Sequence, residues 1–253
     1  MIAIKAVIFT VAIITVGLKG QVIAQEVLPS DPSVSSNDCI IEPHKISNIS
    51  SPVEGVVKQI MVERGDLVKK NQAVARLNSR VQRAAVNLAK ERANFNQRKV
   101  KRNKVLYAKK LISLNEKDEL ETESFLSKLE LKQAQAILSQ RTISSPISGI
   151  VVERFLGRAE FVGEEPILKV AQLNPLNIEV ILPIDAFGKI KKGMKATVLP
   201  QLPIGGEFEA KVVIVDKVVD AASGTIGVRL ELPNPKNSLP AGIKCRVEFD
   251  LSS

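Results

Sequence analysis

Two stretches decide the fold: Ser50–Leu77, SSPVEGVVKQIMVERGDLVKKNQAVARL, and Ser144–Ala171, SSPISGIVVERFLGRAEFVGEEPILKVA. They align without a gap at a constant offset of 94 residues. Pro52 falls on Pro146, Gly55 on Gly149, Val57 on Val151, Arg64 on Arg158 and Val68 on Val162. Asp66 and Glu160 keep the charge, and Val53/Ile147, Val56/Ile150 and Leu67/Phe161 keep the apolar character. Short β-branched runs punctuated by Gly and Pro read as strands and tight turns. Neither half has enough strands to bury a face alone. The two are therefore expected to pack on one another as a small sandwich of half-sheets. Arg64-Gly65-Asp66 spells a cell-adhesion tripeptide, but Arg158-Ala159-Glu160 matches it, so a repeated turn is the better account.

Between the halves, Arg80 to Leu138 contains no Gly and no Pro and is rich in Ala, Leu, Lys, Glu and Gln, a helical composition. A break around Lys109–Asn115 predicts two antiparallel helices joined at a tip. On the first arm, Val81, Ala85, Leu88, Arg92, Phe95, Lys99, Arg102 and Leu106 recur at steps of four and three. On the second, Leu120, Ser124, Ser127, Leu131, Ala134 and Leu138 do the same. Both read as the facing seam of a coiled-coil hairpin. Beyond Leu173, about six β-rich runs separated by Gly and Pro turns predict a small all-β barrel. The fold class is mainly β with one long helical hairpin. Domains are expected at 39–78 with 142–172 (the split half-domain), 79–141 (hairpin) and 173–253 (barrel). Residues 39–48 are left open between the half-domain and the barrel.

The charge has an address. The chain of 253 residues carries 36 Lys+Arg and 27 Asp+Glu, a net +9. Arg80–Lys110 alone holds eleven basic residues and one acid, Glu91, a net +10. Glu116, Asp118, Glu119, Glu121 and Glu123 on the second arm are expected to face Lys104, Lys109 and Lys110. No Trp and one Tyr leave few platforms for stacked bases, against nucleic acid as a partner. One His and two Cys are too few for a Cys/His zinc site. His44 reads as structural or exposed. No nucleophile–base pair or phosphate loop is evident, so no catalytic residue, cofactor or metal is expected.

Residues 1–24 carry Lys5, an apolar run from Ala6 to Leu18, and Val22-Ile23-Ala24, the layout of a secretory signal peptide cut after Ala24. A retained anchor is the alternative reading. Residues 25–38 form a polar, Pro/Ser-rich lead. Cys39 and Cys245 would then sit in an oxidising compartment, either as a disulfide closing a loop of about 200 residues or as two buried thiols; export favours the bond.

The order of half-domain, helical hairpin, second half and barrel behind a signal peptide resembles the periplasmic adaptor, or membrane fusion, proteins of tripartite efflux pumps. The repeated halves look like a split lipoyl domain. IEPHKISNISSPVEGVV, VERGDLVKKNQAVARL, RTISSPISGIVVERF and SGTIGVRLELPNP resemble adaptors of the RND class. The resemblance implies a hairpin tip docking on a TolC-type outer-membrane channel through a spaced Arg, Leu and Ser, matched here by Arg102, Leu106 and Ser113. It implies an inner-membrane transporter as the second partner, a hexameric funnel of adaptors, and a periplasmic location. It also implies a membrane-proximal domain past the barrel. The sequence ends at Ser253, soon after the last strand-like run, so the barrel itself is expected to meet the pump. The carrier lysine of lipoyl domains belongs in the turn that the hairpin occupies; Lys69 and Lys70 lie elsewhere, and no attached cofactor is expected. Two other functions remain: an adaptor for an ABC-type exporter, or a soluble carrier-type domain.

Overall fold

The computed structural model describes residues 34–251; the expected signal peptide and residues 25–33 of the lead lie outside them. In chain order the elements are β1 (Val34–Ile49), β2 (Gly55–Ile60), β3 (Leu67–Val68), β4 (Ala73–Leu77), α1 (Arg80–Ala108), α2 (Leu114–Ser139), β5 (Thr142–Ser144), β6 (Gly149–Arg154), β7 (Phe161–Val162), β8 (Leu168–Pro183), β9 (Lys195–Pro200), β10 (Phe208–Val215), β11 (Thr225–Leu232) and β12 (Ile243–Phe249).

The repeat is a structural one, with a difference from the half-sheets expected. The halves exchange their short strands: β3 of the first pairs with β6 of the second, and β7 of the second pairs with β2 of the first. The two pairings are images of each other. Gly55 opposes Val162 as Gly149 opposes Val68, and Val56 opposes Phe161 as Ile150 opposes Leu67. The turns obey the same rule. Gly65 N–H donates to Val151 O at 2.8 Å, and Ala159 N–H donates to Val57 O at 2.9 Å. Asp66 Oδ2 accepts from Glu63 N, and Glu160 Oε2 accepts from Gly157 N. The acid retained in both halves therefore ties its own turn, and the turn needs a left-handed residue, Gly65 at φ +94° and Ala159 at φ +70°. A buried apolar cluster including Val57, Val74, Leu77, Val151, Val162 and Leu168 fills the space between the exchanged halves. Gly149 is fixed by crowding, since a Cβ there would overlap the Ala171 carbonyl.

The barrel draws a strand from outside residues 173–253. β12, β9, β10, β11 and β8 pair in succession, and β1 closes the ring by pairing with both β12 and β8. Its core holds Ile41, Leu176, Ile178, Val198, Val212, Leu230 and Val247. β1 and β8 are sixteen residues each, and their ladder runs from Ile49–Leu168 in the sandwich to Cys39–Val180 in the barrel. The ladder shifts register between Pro43 and Lys45. There His44 Nδ1 lies 3.0 Å from Asn177 Oδ1, a structural hydrogen bond at the change of domain. No helix among the described residues is long and apolar enough to cross a membrane.

Candidate docking surface on the helical hairpin

α1 and α2 are built of helix-favouring residues with no internal Gly or Pro, and a length of 29 residues corresponds to about 43 Å. They run antiparallel. Arg92 reaches Glu130 at 3.3 Å and Lys99 reaches Glu123 at 3.2 Å, and both pairs are centred on Leu111 in the turn. The acids nearest the tip are held differently from expectation. Lys117, from their own helix, meets Asp118 and Glu121. Among the described residues Lys104, Lys109 and Lys110 have no carboxylate within 4.0 Å. One turn of α-helix separates Lys117 from Glu121, so the local pair forms without any cross-hairpin reach.

The seam corrects the reading of the first arm. On α2 the inward positions are the expected ones, with Leu120, Ser124 and Ser127 buried. On α1 the buried residues are Ala93 and Asn96; of the expected seam, Arg92 and Lys99 reach across to α2 while Val81, Leu88 and Phe95 point outward. Val81 is 76% exposed, Leu88 74% and Phe95 52%. The α1 residues turned inward are short ones, Ala93 and Asn96, and the larger Leu88 and Phe95 stand outside the contact with α2. The heptad Val81–Leu88–Phe95–Arg102 is thus real, but it serves a surface that the hairpin itself does not cover. Phe95, Arg98, Lys101, Arg102 and Val105 line an open depression on that face.

The tip is closely specified. Lys110 N–H donates to Tyr107 O and Leu111 N–H to Leu106 O, both at 2.9 Å, the paired bonds of a Schellman helix ending. Lys110 occupies its left-handed position at φ +57°. Ser113 N-caps α2, its Oγ accepting from Glu116 N at 3.1 Å. Arg102 and Leu106 are one turn apart on exposed α1, Leu106 at 37% exposure. Arg102 has no carboxylate within 4.0 Å among the described residues. The structure therefore places Arg102 and Leu106 on one outward strip and Ser113 across the turn. Sequence reading placed Phe95 in the hairpin's own seam and missed its neighbours Arg98, Lys101 and Val105, which lie outside that heptad.

Cys39 and Cys245 oppose each other in the β1–β12 ladder, their Cα atoms 5.0 Å apart and their sulfurs bonded. They belong to the barrel wall, away from the hairpin. No group of His, Cys, Asp and Glu suited to a metal occurs among the described residues. Lys195 is held above its ordinary pKa by the hydrogen bond and charge of Glu209, a surface pair on the barrel.

Comparison with known proteins follows the same division. Residues 45–172 match the family model for the CzcB-like barrel-sandwich hybrid domain, and residues 176–253 match that for the CusB-like β-barrel domain. An uncharacterized protein of Haemophilus influenzae is 23% identical over 234 residues, covering 91% of this chain and 61% of its own length. The multidrug resistance protein MexA of Pseudomonas aeruginosa is 22% identical over 79% of this chain and 56% of its own. The chain thus spans roughly three-fifths of these relatives. Among solved structures, a chimera of MacA carrying the α-hairpin domain of Pseudomonas aeruginosa MexA superposes with a TM-score of 0.74 at 22% identity, covering 87% of this chain and 82% of that one. MacA from Actinobacillus actinomycetemcomitans gives 0.66 at 20% identity, over 86% and 78%. The chain belongs to the membrane fusion, or adaptor, family of efflux systems.

Proposed function

We propose that the protein is a periplasmic adaptor linking an inner-membrane RND-type transporter to a TolC-type outer-membrane channel, without catalytic activity of its own. The observation that carries this reading is the hairpin tip, where an arginine with no carboxylate within 4.0 Å among the described residues and an exposed leucine stand beside a capped turn. Relatives from Pseudomonas putida named as efflux pump periplasmic linkers support it. Arg102 offers a fork of donors to carboxylates or carbonyls of a helical partner. Leu106 offers an apolar knob. Ser113 Oγ accepts the capping bond and retains its O–H to donate. The outward heptad of α1 supplies a coiled-coil seam for neighbouring adaptors, so that hairpins, sandwiches and barrels assemble side by side as a hexameric funnel.

The test is cross-linking in cells from Leu111→Cys at the tip, with the partner identified by mass. An outer-membrane channel is expected. Adding Arg102→Asp should abolish the adduct while helicity by circular dichroism is unchanged. An adduct of the same yield with Arg102→Asp, or no channel adduct in the parent, overturns the docking role.

A further inference from the structure

At the root of the hairpin, three arginines from three elements line one cavity of about 440 Å³: Arg76 on β4, Arg83 on α1 and Arg141 between α2 and β5. Ser79, Gln135, Ser139 and Thr142 complete its polar lining, and no acid contributes. Among the described residues none of the three guanidinium groups has a carboxylate within 4.0 Å. Like charges gathered in one recess repel, and the arrangement is relieved by a shared anion.

Arg141 is the most committed of the three. Its Nη1 donates to Glu54 O at 2.7 Å, while its Nε is buried without a hydrogen-bond partner. A Cβ on Gly55 would lie 2.8 Å from that Nη1, so the glycine leaves the guanidinium its room. Arg83 Nε donates to Ser79 Oγ at 3.1 Å, which fixes its direction one turn into α1. Ser79 makes no side-chain cap to the helix and the first turn of α1 carries no acid, so the helix end adds to the positive potential.

We infer that this cavity binds a phosphate-type oxyanion, as free phosphate or as the phosphate group of a larger solute, and that the anion ties β4, α1 and the α2–β5 junction together. The inference does not rest on the adaptor reading. Inorganic phosphate titrated calorimetrically into the full chain, at ionic strength held constant with chloride, should show one saturable site per chain. Arg76→Gln and Arg83→Gln, which leave Arg141 in place, should each weaken it at least tenfold with unchanged circular dichroism. Glycerol 1-phosphate run in parallel separates the sources: binding comparable to phosphate assigns the site to a substituted phosphate as well, and none assigns it to the free ion. Phosphate indistinguishable from chloride, or both variants binding as the parent does, overturns the inference.

Discussion

Lys110 occupies a position that favours glycine. The Schellman ending of α1 requires a left-handed residue there, where a side chain costs about 1 kcal/mol. Lys110→Gly is therefore expected to stabilise the tip by up to about 0.5 kcal/mol, net of glycine's greater freedom in the unfolded chain. The gain should be read as slower amide exchange at Lys110, Leu111 and the first turn of α2; faster exchange would contradict it. Ser113 has a cue in sequence, because a serine three residues before Glu116 fits a recognisable capping pattern. Lys110 has none, since lysine carries no left-handed preference and its conformation is imposed by closure of the turn. The structure gives the half of the capping box in which Ser113 Oγ accepts from Glu116 N.

The hairpin shows how an element can be read correctly and oriented wrongly. Its helices, their break and the α2 seam follow from composition and period. A heptad in sequence states only that a stripe exists, however, and α1 carries two stripes one residue apart. The stripe that turns toward α2 is the one carrying the short residues Ala93 and Asn96, and the larger Leu88 and Phe95 are left exposed. Leu88→Ser and Phe95→Ser should consequently leave the monomer nearly as stable as before, within about 0.5 kcal/mol, because both side chains are more than half exposed. If the outer stripe joins neighbouring adaptors, the double variant should shift sedimentation from oligomer toward monomer. Unchanged sedimentation would remove the outer face from assembly.

At the scale of the molecule, the repeat was legible because its offset is constant, whereas the barrel's closing strand was legible only as one of two alternatives for residues 39–48. β1 is punctuated by Pro43 and polar residues, and its partner β12 lies about two hundred residues away, beyond any local pattern. The sulfurs of Cys39 and Cys245 join across that seam. The unreduced protein should titrate no free thiol, and replacing both cysteines with Ala should cost about 2–5 kcal/mol in denaturant unfolding. Two free thiols in the unreduced protein would reject the bond.

The exchange of β3 and β7 also dictates an order of events in folding. Neither half can complete its sheet before the other has been made, so no stable intermediate can consist of the first half alone. The hairpin is different, because each contact across it is centred on one turn. It can form early and bring Leu77 to Arg141, which the native fold joins by a backbone hydrogen bond of 2.9 Å. A long loop closure is thereby replaced by a short one, and the slow search for non-local strands starts with its ends already together. The arm that reaches outward in the finished protein is also the clasp that assembles its base.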